Sequence, residues 1–294
     1  MSVVSGSSAD SVRVVSKRRG LVTRLIAAPT ILALLFLVLY AHASSGRAFL
    51  TDAVLVLLAA GAAFEVAKML GAAGRPSHVG IAVAFSAALA GLGFFAPDSP
   101  NSRGVLRSLL LVGAVLAVFV RHLRAPKPGD LDRILATFLP IVLVGYLFGL
   151  LRELGDGADG AKRIAFVLFS SKASDVGGWI FGKAIGRHKM IPSVSPGKTW
   201  EGTIGGIACS VGTAILVLET WGAPALATTT LEACVLGALL GIASIVAGLA
   251  HSALKRRCAA KDSSTLLPEM GGLLDMIDSL LLAAPVAWIW MLCR

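Results

Sequence analysis

The sequence predicts an all-α polytopic membrane protein, and three observations predict it. Apolar residues make up 56% of the 294 residues and charged ones only 15%, with a mean hydropathy of +0.81. The apolar residues gather in runs of about 20, the length that crosses a hydrocarbon core as a helix. Short polar loops separate the runs, and Lys and Arg favour every second loop.

Nine runs qualify, at residues 24–43, 51–71, 78–96, 104–121, 133–152, 163–183, 203–219, 230–250 and 272–292. The first follows a Ser-rich stretch ending in Lys17, Arg18 and Arg19. Residues 1–22 are therefore expected as a disordered cytoplasmic tail rather than a cleaved leader, and 23–294 as a single integral membrane domain. The sixth and ninth runs carry ionisable residues, and the seventh follows a polar, glycine-rich stretch, SPGKTWEGTIGG at 195–206.

Basic residues orient the spans. With the N-terminus inside, nineteen of the 27 Lys and Arg fall in cytoplasmic segments and seven on the other side (Arg47, Arg103, Arg107, Arg152, Lys162, Arg163 and Arg294), with Lys172 inside a span. This positive-inside bias puts SPGKTWEG in the cytoplasm and the C-terminus outside. The net charge of +10 is thereby read as topological, facing anionic headgroups, and not as a nucleic-acid surface. Cys209, Cys234, Cys258 and Cys293 are too widely spaced to suggest a zinc site or a disulfide framework.

Ionisable residues within spans cost a few kcal/mol on insertion scales and mark function by default. The sixth run, AFVLFSSKASDVGGWIFGKAIG, holds Lys172 and Asp175 three apart, either as an internal ion pair or beside a polar cavity. The ninth opens GGLLDMIDSL, where Asp275 and Asp278 project from one helix face about 5–6 Å apart. Two such carboxylates either share a proton or hold a cation, and oxygen ligands without His or Cys nearby favour Mg²⁺. Depth brings the three acids together: Asp275 and Asp278 lie roughly 6–10 Å below the cytoplasmic surface and Asp175 roughly 12 Å.

The adjoining loops carry the opposite charge. GRHKMIPSVSPGKTWEG supplies Arg187, Lys189 and Lys198, and SALKRRCAAKDSSTLLPEMGG supplies Lys255, Arg256, Arg257 and Lys261. Acids for a metal, bases for phosphate oxygens and glycines that admit backbone amides are what phosphoryl and nucleotidyl transfer require, although basic loops also arise from topology alone. The GKT at 197–199 is not a nucleotide P-loop, because Pro192 stands where the motif's first glycine would be.

At SDVGGWIFGKAIGRHKMIPSVSPGKTWEGTIGG and SALKRRCAAKDSSTLLPEMGGLLDMIDS the sequence resembles the phosphatidate cytidylyltransferase (CDP-diacylglycerol synthase) family. The resemblance is strongest over the C-terminal 120 or so residues, so the catalytic half is expected at roughly 160–294. It implies that a phosphatidate oxygen attacks the α-phosphorus of CTP, releasing pyrophosphate and leaving CDP-diacylglycerol in the bilayer. It further implies catalytic roles for Asp175, Lys198, Lys255, Lys261, Asp262, Asp275 and Asp278, with Mg²⁺ on Asp275, Asp278 and Asp175. Arg187, Lys189, Ser195, Thr199, Glu201, Ser252, Arg256, Gly271 and Gly272 are the implied substrate-binding residues, with Trp200 anchoring the loop at the interface.

The chain departs from the family's usual pattern at Met270 and Met276, where His and Arg are common, and at Gly248 and His251, where acids are usual. Expected partners are CTP, phosphatidate and membrane lipid, with homodimerisation left open and no nucleic acid. The expected location is the inner membrane, with the active site cytoplasmic. Cytidylyl transfer to another lipid phosphate, a weakly active or non-catalytic relative, and an ion-coupled transporter are the alternatives.

Overall fold

In hydrocarbon every backbone amide and carbonyl must be satisfied within the chain, and the apolar runs meet that demand by coiling into helices. A computed structural model describes residues 37–42, 48–95, 100–123, 129–157, 159–222, 226–264, 266 and 271–294. The expected 1–22 tail, most of the first expected span and Met270 lie outside the described residues.

Helix α1 covers 37–42. There follow α2 (Ala48–Ala72), α3 (Val79–Ala90), α4 (Leu92–Phe95), α5 (Pro100–Leu123), α6 (Asp130–Pro140) and α7 (Gly160–Ala184). A hairpin of β1 (Lys189–Ile191) and β2 (Ser195–Thr199) leads into α8 (Trp200–Trp221), α9 (Thr230–Arg257), α10 (Leu273–Ile277) and α11 (Leu280–Leu292). Among the described residues seven helical segments are long and apolar enough to cross a membrane. These are Phe49–Ala72, Asn101–Leu123, Asp130–Gly155, Gly160–Ala184, Trp200–Trp221, Thr230–Arg257 and Leu273–Leu292. Among the described residues the protein is all-α apart from the one hairpin.

Three spans differ from their expected form. The third is interrupted at Gly91, so that α3 is only 12 residues long before α4 begins. The fifth passes Pro140, which has no N–H to offer, and widens into a π-helical stretch (Ile141–Phe148) and then a 3-10 stretch (Leu150–Gly155). Ser86 on α3 donates to the Pro140 carbonyl at 3.2 Å. The ninth breaks between α10 and α11, with Asp278 and Ser279 at the joint.

Small residues set the packing of the C-terminal half, as they do where lipid supplies no hydrophobic drive between helices. A methyl group on Gly177 of α7 would stand 2.6 Å from the Cys209 sulfur of α8, and one on Gly237 of α9 would stand 2.8 Å from the Ala214 Cβ. Serines stitch the same seams: Ser210 donates to the Gly237 carbonyl at 2.7 Å, Ser174 to Gly241 at 3.3 Å and Ser244 to Ser171 at 3.3 Å.

At the other end of these helices lies a buried charge network. Arg103 pairs with Glu153 (3.2 Å) and Asp156, Arg107 with Glu153, and Arg152 with Asp52 and Asp156 (2.8 Å). Arg163 donates to the Leu154 carbonyl at 2.8 Å and to that of Asp156. Four of the seven basic residues on the minority side of the expected topology are thus held inside the protein by internal partners.

Candidate active site

Opposite that network, the C-terminal half of α7, the hairpin, the N-terminal end of α8 and the middle of α9 enclose a cleft of about 250 Å³. Ser174, Asp175 and Trp179 of α7 form one wall, Ser195, Gly197, Lys198 and Thr199 of the hairpin another, and Ile245 of α9 contributes to the lining.

The hairpin explains why polar residues lie between two spans. Its strands pair antiparallel, Lys189 opposite Thr199 and Ile191 opposite Ser195. Thr199 is buried and caps α8, its hydroxyl accepting from the Gly202 N–H at 3.1 Å. Glu201 turns outward and accepts from the His188 ring at 2.6 Å and its backbone N–H at 3.2 Å, closing the hairpin's base. Trp200, Arg187 and Lys189 are exposed.

Lys198 alone among the hairpin's cations turns inward. Its ammonium donates to the Ile245 carbonyl at 3.1 Å. Burial pulls this lysine below the usual ammonium range, while Asp175 and then Asp278 pull it back up. Asp175 accepts from the Ser244 hydroxyl at 3.2 Å and lies 3.5 Å from the Lys172 ammonium, so the internal ion pair and the cleft-facing acid coexist in one residue.

The two aspartates of the ninth span have different surroundings. Asp275 is enclosed: its Oδ1 takes the Lys255 ammonium at 2.5 Å, and its Oδ2 takes the Ser263 N–H at 2.9 Å, the Ser263 hydroxyl at 2.7 Å and the Gly272 N–H at 3.0 Å. Gly271, with φ of +88°, makes the turn that brings these amides round. Asp278, at the joint before α11, accepts from the Ser279 N–H at 2.7 Å and from His251 Nδ1 at 3.3 Å. His251 is buried between them, its Nε2 3.9 Å from Asp275 Oδ1 and without a hydrogen-bond partner. Asp175, in the cleft wall, and Asp278, behind it, therefore both act on Lys198, whereas the oxygens of Asp275 are occupied by protein donors.

Other expected site residues do not line the cleft. Ser252 donates back to the Gly248 carbonyl of its own helix at 2.7 Å, and exposed Arg256 approaches the Val194 carbonyl at 3.5 Å. Lys261 and Asp262 are exposed on the loop after α9, and Met276 packs against the core. Among the described residues no cluster of three or more His, Cys, Asp or Glu side chains is arranged to hold a metal ion.

The sequence profile of the cytidylyltransferase family matches residues 22–293. The chain belongs to that family. Its relatives include the uncharacterized protein YnbB of Escherichia coli, 42% identical over 127 residues, 43% of this chain and 41% of that protein. A phosphatidate cytidylyltransferase of Mycobacterium tuberculosis is 34% identical over 166 residues, covering 56% of this chain and 49% of that one. One from Brucella suis is 37% identical over 142 residues, covering 46% and 49%. The chain spans about half the length of the relatives it matches.

Within this cytidylyltransferase-family chain, the sequence did not single out Ser244, the carbonyl of Ile245, Ser263 or Glu65, whose carboxylate lies 3.0 Å from the Ser263 hydroxyl. Only Glu65 left a readable sign, an acid well inside the apolar second run. Serine and a backbone carbonyl carry no such mark.

Proposed function

We propose that the chain transfers the cytidylyl group of CTP to phosphatidate, giving CDP-diacylglycerol and pyrophosphate. The observation that carries this reading is the convergence of Lys198, Asp175 and Asp278, brought from the hairpin, α7 and the α10–α11 joint: Lys198 and Asp175 line the cleft, and Asp278 lies close enough to act on both charges. The names of the relatives from Mycobacterium tuberculosis and Brucella suis support it.

The donors suit Mg²⁺, which is characteristically bound by one or two carboxylates plus substrate phosphates rather than by an all-protein cage. Asp175 and Asp278 would hold it, and the bound ion would neutralise charge on the phosphates. In the reaction a phosphatidate oxygen forms a bond to the α-phosphorus of CTP as the bond to the β-phosphate bridging oxygen breaks. Lys198 supplies a partly desolvated cation at this point, where a charge-assisted contact is strongest. Exposed Pro196 and Gly197 leave the mouth of the cleft open, and the amide end of α8 lies at its floor, a favourable place for phosphate oxygens. His251 orients Asp278, and Lys255 is kept in register by Asp275.

The same reading puts the cleft on the cytoplasmic side of the inner membrane, supported by the bias of basic residues and by the internal neutralisation of arginines at the opposite end. A cysteine at Ser195 in an otherwise cysteine-free chain should react with an impermeant thiol reagent only after the cytoplasmic face is opened.

The deciding experiment incubates the purified protein in detergent with phosphatidate, Mg²⁺ and each nucleoside triphosphate in turn. Lipid-linked cytidylyl and pyrophosphate should appear with CTP and vanish in excess chelator. Product formation that ignores the chelator would remove the metal from the reading, and absence of any CTP-dependent product would remove the reaction.

A further inference from the structure

We propose that Glu65, two turns before the end of α2, is a positioning residue for the cleft: it fixes the segment that carries Asp275 and Asp278, and through Asp275 the ammonium of Lys255. This rests on the reaction proposed above only for its consequence in turnover. The geometry stands by itself.

Glu65 is 5% exposed and lies in a span, where an unsatisfied carboxylate would be very costly. Its satisfaction comes entirely from residues about 200 positions further along the chain. Oε1 accepts from the Leu273 N–H at 2.9 Å and from the Ser264 hydroxyl at 2.6 Å. Oε2 accepts from the Leu274 N–H at 2.9 Å and lies 3.0 Å from the Ser263 hydroxyl. One carboxylate thus ties the loop after α9 to the first turn of α10, which has no side-chain cap from its own N-cap residue, Gly272.

The contact is shaped for this pairing. A methyl group at Gly272 would collide with Glu65 Oε2 and the Ser263 hydroxyl, and one at Gly61, one helical turn before Glu65, would collide with Leu273. Gly61 and Glu65 therefore form one face of α2 on which α10 sits.

Ser263 links this anchor to the cleft. Its hydroxyl is within reach of both Glu65 Oε2 and Asp275 Oδ2, its N–H donates to Asp275, and Asp275 in turn holds Lys255. Three residues beyond Asp275 comes Asp278, whose orientation is set by the same short helix. Moving the first turn of α10 would therefore move Lys255, Asp275 and Asp278 together, while α7, the hairpin and Lys198 stay in place.

The test compares Glu65→Gln and Glu65→Asp with wild type, using full-length protein in detergent. Glutamine keeps the size but replaces one acceptor oxygen by an NH₂ that faces donors, so amide hydrogen exchange at Leu273 and Leu274 should rise at least about tenfold with the remaining spans unchanged. With CTP and phosphatidate, kcat should fall about ten- to a hundredfold with KM for CTP changed far less, because the loss is of alignment rather than of binding. Aspartate retains both acceptors and should recover part of both properties, and it serves if the glutamine variant does not fold. Unaltered exchange at Leu273 and Leu274, or a kcat within about twofold of wild type, would overturn the proposal. A wild-type protein that makes no CTP-dependent product would overturn the proposed reaction instead, and the exchange comparison, which needs no substrate, would still decide the role of Glu65.

Discussion

The Lys198 ammonium donates to the carbonyl of Ile245 at 3.1 Å, so a residue of the hairpin is held against the middle of α9. Keeping this ammonium charged works against folding, because burial lowers its affinity for the proton. Lys198→Met should therefore fold with an unchanged or higher melting temperature. It should lose about ten- to a hundredfold in turnover, the value of a charge-assisted contact of about 1.5–3 kcal/mol. A stable Lys198→Met protein with wild-type turnover would remove the lysine from the reaction.

Asp275 and Asp278 should separate on substitution, because their surroundings differ. Asp275→Asn leaves the Lys255 ammonium without its carboxylate and weakens the acceptor for Ser263 and Gly272. Its main effect should be a loss of stability of roughly 3–5 kcal/mol, read by melting in detergent. Asp278→Asn keeps an oxygen for the Ser279 N–H and turns an NH₂ toward His251 Nδ1, which accepts it in the other imidazole tautomer, so folding should survive while turnover drops about a hundredfold or more. An active Asp278→Asn protein with unchanged Mg²⁺ dependence would mean that this aspartate does not face the reacting phosphates.

How far the fold could be read from the sequence follows from which forces are local. Hydropathy marks residues that must leave water, and it located the runs that became α2, α5, α7, α8 and α9. It does not mark where a helix is interrupted, so the π-helical stretch after Pro140, the break at Gly91 and the joint at Asp278 were invisible to it. Asp175 and Asp278 were legible because charge is rare in a span and has to be explained, and Lys198 because it stands in a basic, glycine-rich loop between two spans. The division of labour between Asp275 and Asp278 was not, since it depends on Ser263, Gly272 and His251 arriving from elsewhere in the chain. Thr199 and Glu201, read as substrate-handling residues, also have local uses that the sequence did not show, as a helix cap and as the closure of the hairpin.

The charge network remote from the cleft should act on stability alone. Glu153 accepts from both Arg103 and Arg107, which are buried. Glu153→Gln removes their shared charge and should cost roughly 3–5 kcal/mol, while turnover per folded molecule remains at the wild-type level. A fall in turnover at unchanged melting temperature would show that the two ends of the protein are coupled.

His78, just before α3, provides a pH test. Its Nδ1 accepts from Arg121 at 3.2 Å, its Nε2 meets His122 Nε2 at 3.2 Å, and Asp130 and Arg133 of α6 lie nearby. Burial first, then Arg121 and His122, hold its imidazole below the ordinary value of 6.5. Below 6.5 the unfolded chain gains a proton that the folded chain refuses, so stability declines as pH falls from there and levels off beneath the folded value. Melting temperatures from about pH 7.5 to pH 5 should therefore fall more steeply for wild type than for His78→Gln. Parallel curves would show that His78 protonates as easily folded as unfolded.

Gly248 offers a gain of function. A Cβ at this position would stand 2.9 Å from the Lys198 ammonium and 3.9 Å from Asp278 Oδ2. The near contact is with the free end of a flexible side chain, so Gly248→Asp should be accommodated by a small shift of Lys198. The new carboxylate would pair with that ammonium and add a third acid beside Asp175 and Asp278. Two effects on the cleft follow: a closer counter-charge raises the proton affinity of Lys198, and a third oxygen donor strengthens attraction for a divalent cation. In the proposed reaction the Mg²⁺ concentration giving half-maximal turnover should fall, while the KM for CTP changes little. An unchanged Mg²⁺ midpoint in a folded Gly248→Asp protein would show that the ion does not sit between Asp175 and Asp278.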